Sequence, residues 1–111
     1  MVMVLPWISA FLLTQLIECP IYRIALGKRS HAWLIAFGAS AMTHPIVFFG
    51  FPLLFPVDYW RGVATAEAFA VIGEAIWLSK FGVPNSLTWT LLANALSAGI
   101  GLSLRAWIGW P

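Results

Sequence analysis

Four long apolar stretches, each bounded by glycine, proline or charged residues, take up nearly all of this 111-residue chain. A helix crossing the ~30 Å hydrocarbon core of a bilayer needs about 20 mostly apolar residues, at ~1.5 Å of rise each. The first stretch runs from about Val4 to Leu26, with Gly27 as its stop and Lys28-Arg29 behind it. Ser30 is a good capping residue for a second helix over 31–50. Pro52 and Pro56 then predict an interfacial apolar loop over Phe51–Val57. Asp58 can cap a third helix over 59–81, which Gly82 stops. Pro84-Asn85-Ser86 reads as a turn and cap before a fourth helix over 87–108. Short connections make neighbouring helices antiparallel. The expected fold is all-α, an integral membrane four-helix bundle built as two transmembrane hairpins and forming one domain over 1–111.

Composition narrows the class further. With 61% hydrophobic and 9% charged residues, the chain has too few polar groups to coat a soluble globule and too much apolar surface for disorder. Its six Lys and Arg are scattered and its net charge is +2, so no basic patch offers itself to nucleic acid. The single cysteine, Cys19, permits neither an intrachain disulfide nor a Cys-x-x-Cys pair. Met1 to Ile17 carries no charge, unlike the basic start of a cleaved signal, so the first stretch reads as a retained anchor.

Arg23, Lys28, Arg29 and Lys80 fall on the side of the first and third loops, against Arg61 and Arg105 on the side of both termini. Positive residues favour the cytoplasm, so both termini are expected outside it. Tyr22, Trp33, Trp77 and Trp89 mark one interface, and Tyr59, Trp60, Trp107 and Trp110 the other. Two rows of small residues, Gly62/Ala66/Ala70 and Ala93/Ser97/Gly101, are spaced for close helix contact.

The functional information lies in the polar residues inside the spans. Glu18, His44, Glu67, Glu74, Gln15 and Asn94 all sit well within them. An acidic residue at a span centre opposes insertion by about 2.5–3.5 kcal/mol, so three carboxylates need partners, protons or a task. Phe11, Thr14, Gln15, Glu18 and Tyr22 share one stripe, which should face the bundle interior, and Ser40 and Ala41 lie a turn from His44 on one face. Glu67 and Glu74 share a face, ~10.5 Å apart along it. Counting rise from the loop ends puts Glu18, Glu74 and Asn94 in one tier, ~10–12 Å deep, and His44 with Glu67 in a second tier ~20 Å deep. Pro20 and Pro45 free the carbonyls of Leu16 and Ala41 beside Glu18 and His44. Carboxylate, imidazole and loose carbonyl together suit protons or a divalent metal ion, with Glu18, His44 and Glu74 as the candidate metal ligands. The structural alternatives are His44 bonded to Glu67 or Glu18, Glu67 neutralised by Arg105, and Asn94 as an interhelical tie.

Several chemistries lack their residues. There is no Glu-x-x-His, no His-Glu-x-x-His, no Gly-x-Ser-x-Gly and no mid-span lysine. In outline the chain is similar to the small multidrug-resistance exporters, with comparable length, four helices and one glutamate, Glu18, in the first helix. His44, Glu67, Glu74 and the two proline motifs depart from that pattern, so the resemblance implies architecture and no residue roles. The hairpins echo each other, with Glu18 then His44 in one and Glu74 then Asn94 in the other, as in a parallel repeat. The expected function is therefore a small membrane protein that binds, senses or conducts a proton or divalent cation through a buried Glu/His column. The alternative is a non-catalytic accessory subunit whose polar stripe meets a partner's helices; acid–base catalysis by Glu and His ranks below both. Uncovered polar stripes would also call for a homodimer or a larger membrane complex.

Overall fold

The computed structural model describes residues Val4–Gly109. Helix α1 spans Val4–Leu26 and ends where Gly27 takes φ +62°, its N–H donating to the carbonyls of Arg23 and Ile24. That left-handed turn is open to glycine at no steric cost. Helix α2 spans Ala32–Pro45. Its N-cap is His31, at φ 58°, and not Ser30 as the sequence predicts. Reversing the chain in so few residues takes a second left-handed residue, and that residue sets where α2 begins.

Pro45 has no N–H to offer Ala41, and the helix widens into a π turn over Ile46–Gly50 directly after it. It tightens again as α3, Phe51–Leu54. The second span is thus helical from Ala32 to Leu54, and the loop expected over Phe51–Val57 begins only after Leu54. Pro52 fits because it occupies the first turn of α3, where its missing N–H is not required. Asp58 accepts from the Arg61 N–H at 3.1 Å and caps α4, Tyr59–Lys80. Gly82 at φ 80° and Asn85 at φ 54° make the next turn, and α5 runs from Ser86 to Ile108.

All four long helical paths are apolar and long enough to cross a bilayer. The molecule measures 41 Å along its long axis, matching a bilayer with its headgroup regions. Leucine, isoleucine and phenylalanine side chains, among them Leu16, Ile24, Leu34 and Ile72, face outward where lipid would solvate them. This is a multi-pass membrane protein with an all-α four-helix bundle.

The helices form a square ring. α1 packs against α2 and α5, and α4 packs against the same two. α1 and α4 therefore stand on one diagonal. The half near the two tight turns is closed by Tyr22, Leu26, Ala36, Leu78, Val83 and Ala93. Arg29 ties the turns together, donating at 2.8 Å to the carbonyls of Leu26, Phe81 and Gly82. A cation there also faces the C-terminal ends of α1 and α4.

Small residues set several approaches. Gly62, Ala66 and Ala70 are buried, and a Cβ on Gly62 would stand 3.2 Å from Phe55 Cβ. A Cβ on Gly38 would stand 3.0 Å from the Trp77 ring, and one on Gly73 3.2 Å from Thr43 Cγ2. The row on α5 differs from expectation. Ala93 is buried, but a Cβ on Gly101 would meet nothing within 4 Å. Gly101 borders a cavity instead of a helix contact. Trp33, Trp60 and Trp107 are exposed near the membrane boundaries, and Trp110 lies outside the described residues. Tyr22 does not join them, because it is fully buried.

Candidate functional site

Glu18 on α1 and Glu74 on α4 project from opposite corners of the ring into its centre, each with 1% of its surface exposed. Each is held by both flanking helices. Ser40 on α2 donates to Glu18 Oε1 at 2.6 Å, and Ser97 on α5 donates to Glu18 Oε2. Thr43 on α2 donates to Glu74 Oε2 at 2.5 Å, and Asn94 on α5 donates to Glu74 Oε1 at 3.0 Å. Tyr22 on α1 adds a hydroxyl donor to Glu74 Oε1. The two carboxyl groups border the same small central cavity. All four carboxyl oxygens thus receive neutral donors.

Among the described residues, no basic side chain joins this cluster; the only ion pair is Arg61 with Asp58 at 3.5 Å, on the surface. Two buried carboxylates with no countercharge repel each other in low dielectric, whereas hydroxyl and amide donors can hold them without adding charge.

The tier read from helix rise is thus a contact set, since Glu18, Glu74 and Asn94 meet. Asn94 is the interhelical tie that the sequence allowed, also reaching the Tyr22 hydroxyl at 3.3 Å and the Thr90 carbonyl at 2.9 Å. Gln15 is another tie, donating to the Phe37 carbonyl at 3.1 Å.

His44 takes a different place from either expectation. Its Nδ1 accepts from the Trp7 indole N–H at 3.1 Å, and its ring lies edge-on to Phe11 and parallel to Phe48. It bonds neither Glu67 nor Glu18. Among the described residues, no three His, Cys, Asp or Glu side chains converge as metal ligands. The expected metal trio, Glu18, His44 and Glu74, borders one small cavity, with the His44 Nδ1 accepting from Trp7 and the two carboxyls accepting from hydroxyl and amide donors. Arg105 does not neutralise Glu67 either; its guanidinium lies 4.6 Å over the Tyr59 ring.

Two adjoining cavities surround these groups. A small one of about 90 Å³ is bordered by Glu18, Glu74, Asn94, Ser97, Thr43, His44 and Glu67. A larger one of about 510 Å³ fills the terminus half of the ring, between α1, the π turn, α3, α4 and α5. Thr14, Val47, Glu67, Ser97 and Ala98 border both. Glu67 thus stands where the large apolar space meets the carboxyl pair.

The geometry also changes the internal repeat. Ser40 lies nine residues after the left-handed His31, and Asn94 nine after the left-handed Asn85. Thr43 and Ser97 each follow three residues later. Glu18 precedes Gly27 by nine and Glu74 precedes Gly82 by eight. Exchanging the hairpins therefore maps Glu18 onto Glu74, Ser40 onto Asn94 and Thr43 onto Ser97. Glu18 takes one donor from its own hairpin and one from the other, and Glu74 takes Asn94 from its own and both Thr43 and Tyr22 from the other. His44, which sequence alone paired with Asn94, has no part in that correspondence.

Sequence reasoning missed Ser97 and Thr43 as site residues and placed Tyr22 at an interface. The signal available for Tyr22 was its place on the polar stripe of α1, four residues from Glu18. For Thr43 and Ser97 it was a short polar residue facing inward three positions after another. The chain matches no family model, no curated protein and no solved structure.

Proposed function

We propose that this protein binds a proton within the membrane at the Glu18–Glu74 pair and so acts as an ion-handling membrane protein. One observation carries the reading. Two carboxyl groups from opposite corners of the ring face one small central cavity, every oxygen held by a neutral donor and, among the described residues, no cation beside them. The four oxygens offer about eight lone-pair sites, of which the donor groups take more than half, leaving fewer than the roughly six oxygen ligands that a hard divalent cation prefers. A proton shared between the carboxyls removes their repulsion and disturbs none of those bonds. The same donors orient the pair and hold the helices together.

The accessory-subunit reading requires a polar stripe turned outward. Here the stripes converge inside one chain, which supports the ion-handling reading. Outward-facing Thr65 and Ser103 are satisfied within their own helices by the carbonyls of Arg61 and Gly99.

The test is infrared spectroscopy of the protein in lipid, following the C=O stretch of protonated carboxylic acid while pH is varied. The parent should show such a band, shifted in deuterated water and titrating reversibly. Glu18→Gln and Glu74→Gln should each lose it while keeping the helical fold. A parent without the band, or variants that retain it unchanged, would overturn the proposal. Proton flux into vesicles carrying a pH-sensitive dye then separates binding from conduction.

A further inference from the structure

The cavities reach the carboxyl pair from one end only. On the terminus side, the 510 Å³ space adjoins the 90 Å³ space through Thr14, Glu67, Ser97 and Ala98. Arg105 lies three residues from the end of α5, ~4.5 Å in, whereas Glu67 lies eight residues into α4, ~12 Å in. Glu74 lies two turns further along the same face.

On the turn side, neither cavity continues. Tyr22, Leu26, Leu78 and Thr90 have no exposed surface, and none of them borders either space. Ala36 is likewise at 0%. Arg29 locks the two turns over this plug with three carbonyl contacts.

We infer that the carboxyl pair exchanges its proton with the terminus side alone, through the large cavity, and that Glu67 is the relay at its neck. This rests on the proton-binding reading and adds to it a direction and a further functional residue. The protein in this form is a one-sided proton binder with a sealed turn end, and not a continuous conduit.

The chemistry fits the positions. A site of about 510 Å³ holds several waters, each of which needs a few polar partners. Thr14, Ser97 and Glu67 supply these at the neck, where the walls are otherwise apolar. Glu67 has no hydrogen-bond or ionic partner among the described residues, so its carboxyl is free to take up a proton from water on one side and pass it inward. The transfer conserves charge at each step: an O–H bond forms at Glu67 as one breaks in a hydronium ion, leaving neutral water, and an O–H bond then forms at the Glu18–Glu74 pair, through water in the small cavity, as the Glu67 O–H breaks and its carboxylate is restored. The ionisable groups around this route are Glu18 and Tyr22 on α1, His44 on α2, Tyr59, Glu67 and Glu74 on α4 and Arg105 on α5. The His44 Nδ1 is occupied by the Trp7 N–H, and Glu67 is the one carboxyl that borders both cavities.

Two measurements decide the matter. The first uses single cysteines in a Cys19→Ser background, in vesicles of uniform orientation, with a charged thiol reagent added from one side at a time. Gly101→Cys and Ala98→Cys should react from the terminus side. Thr90→Cys and Ala36→Cys, both small changes, should be protected from both sides. Reaction of Thr90→Cys or Ala36→Cys from the turn side at a similar rate would show a through-path and overturn the inference. So would an Ala98→Cys that is inert from the terminus side. These outcomes do not depend on whether the pair binds a proton.

The second measurement is the rate of hydrogen–deuterium exchange of the carboxylic-acid infrared band. Glu67→Gln should keep the band and slow its exchange at least tenfold, and Glu67→Asp should restore part of the rate. An unchanged rate in Glu67→Gln removes Glu67 from the route. Absence of the band in the parent instead counts against the carboxyl pair itself, which the cysteine results would not.

Discussion

The bond from Tyr22 to Glu74 offers the sharpest test of the buried network, through a double-mutant cycle. Glu74→Met keeps the side-chain length and removes every acceptor. Three donors then lose their partner, but not equally. Asn94 keeps the Thr90 carbonyl at 2.9 Å. Thr43 can turn to the carbonyls of Ser40 and Ala39, at 3.4 and 3.5 Å. Tyr22 has only Asn94 Nδ2 nearby, itself a donor, so its hydroxyl is stranded in a fully buried position. A stranded buried hydroxyl costs about 1–3 kcal/mol. Interhelical hydrogen bonds inside membranes average ~0.6 kcal/mol by such cycles, with a maximum of ~1.7. Because Tyr22 has no fallback acceptor, the coupling should fall near that upper bound, at about 1.5 kcal/mol, or roughly tenfold in the unfolding equilibrium. Tyr22→Phe removes the stranded group, so the double variant should be more stable than Glu74→Met alone. Reversible unfolding in bicelles, for the parent, both single variants and the double, measures this. Additivity within about 0.4 kcal/mol would refute the reasoning, because independent sites add to that accuracy.

Other consequences follow from contacts elsewhere. Gly38→Ala places a Cβ 3.0 Å from the Trp77 ring and should push out the indole, whose N–H donates to the Ile35 carbonyl at 2.9 Å; overpacking of this kind costs about 1–3 kcal/mol, and thermal unfolding with tryptophan fluorescence should report both effects. Gly73→Ala should move Thr43 off Glu74 by crowding its Cγ2 at 3.2 Å, seen as a shift of the Glu74 carboxyl band and not of the helix content. Arg29→Gln should release the two turns, raising amide exchange around residues 27–31 and 81–85 while costing only about 1 kcal/mol, since two of its three contacts are exposed; Arg29→Lys should not restore protection, because one ammonium cannot span three carbonyls in the guanidinium's fixed fork. Lys28→Cys and Lys80→Cys in a Cys19→Ser background should label from the same side, and the excess of basic residues there predicts that side to be the cytoplasmic one; labelling from opposite sides would break the hairpin topology.

What the sequence determined by itself is the set of spans and most of their ends. Hydrophobic length is a local property, and so is turn chemistry. Gly27 and Gly82 stop helices because they can adopt positive φ, and Asp58 caps α4 because its side chain reaches a free N–H two or three residues on. The second span runs further than its sequence predicts for a local reason too: Pro52 and Pro56 look like breaks, yet a helix first turn admits Pro52, and the helix ends only after Leu54. Depth was legible as well, since rise per residue is nearly constant, and it brought Glu18, Glu74 and Asn94 to one level. What only the tertiary structure decided is who meets whom at that level. Each residue step turns a helix by about 100°, so a partner depends on how four helices rotate against one another, and no single helix encodes that. The ring places Glu18 and Glu74 on a diagonal, and only then do Ser40, Thr43 and Ser97 on the flanking helices become their donors. The same packing gives His44 to the Trp7 indole and leaves Glu67 without a partner at the cavity neck, because the half of the ring that holds them stays open while the half beyond the carboxyls closes on Tyr22, Leu26 and Leu78.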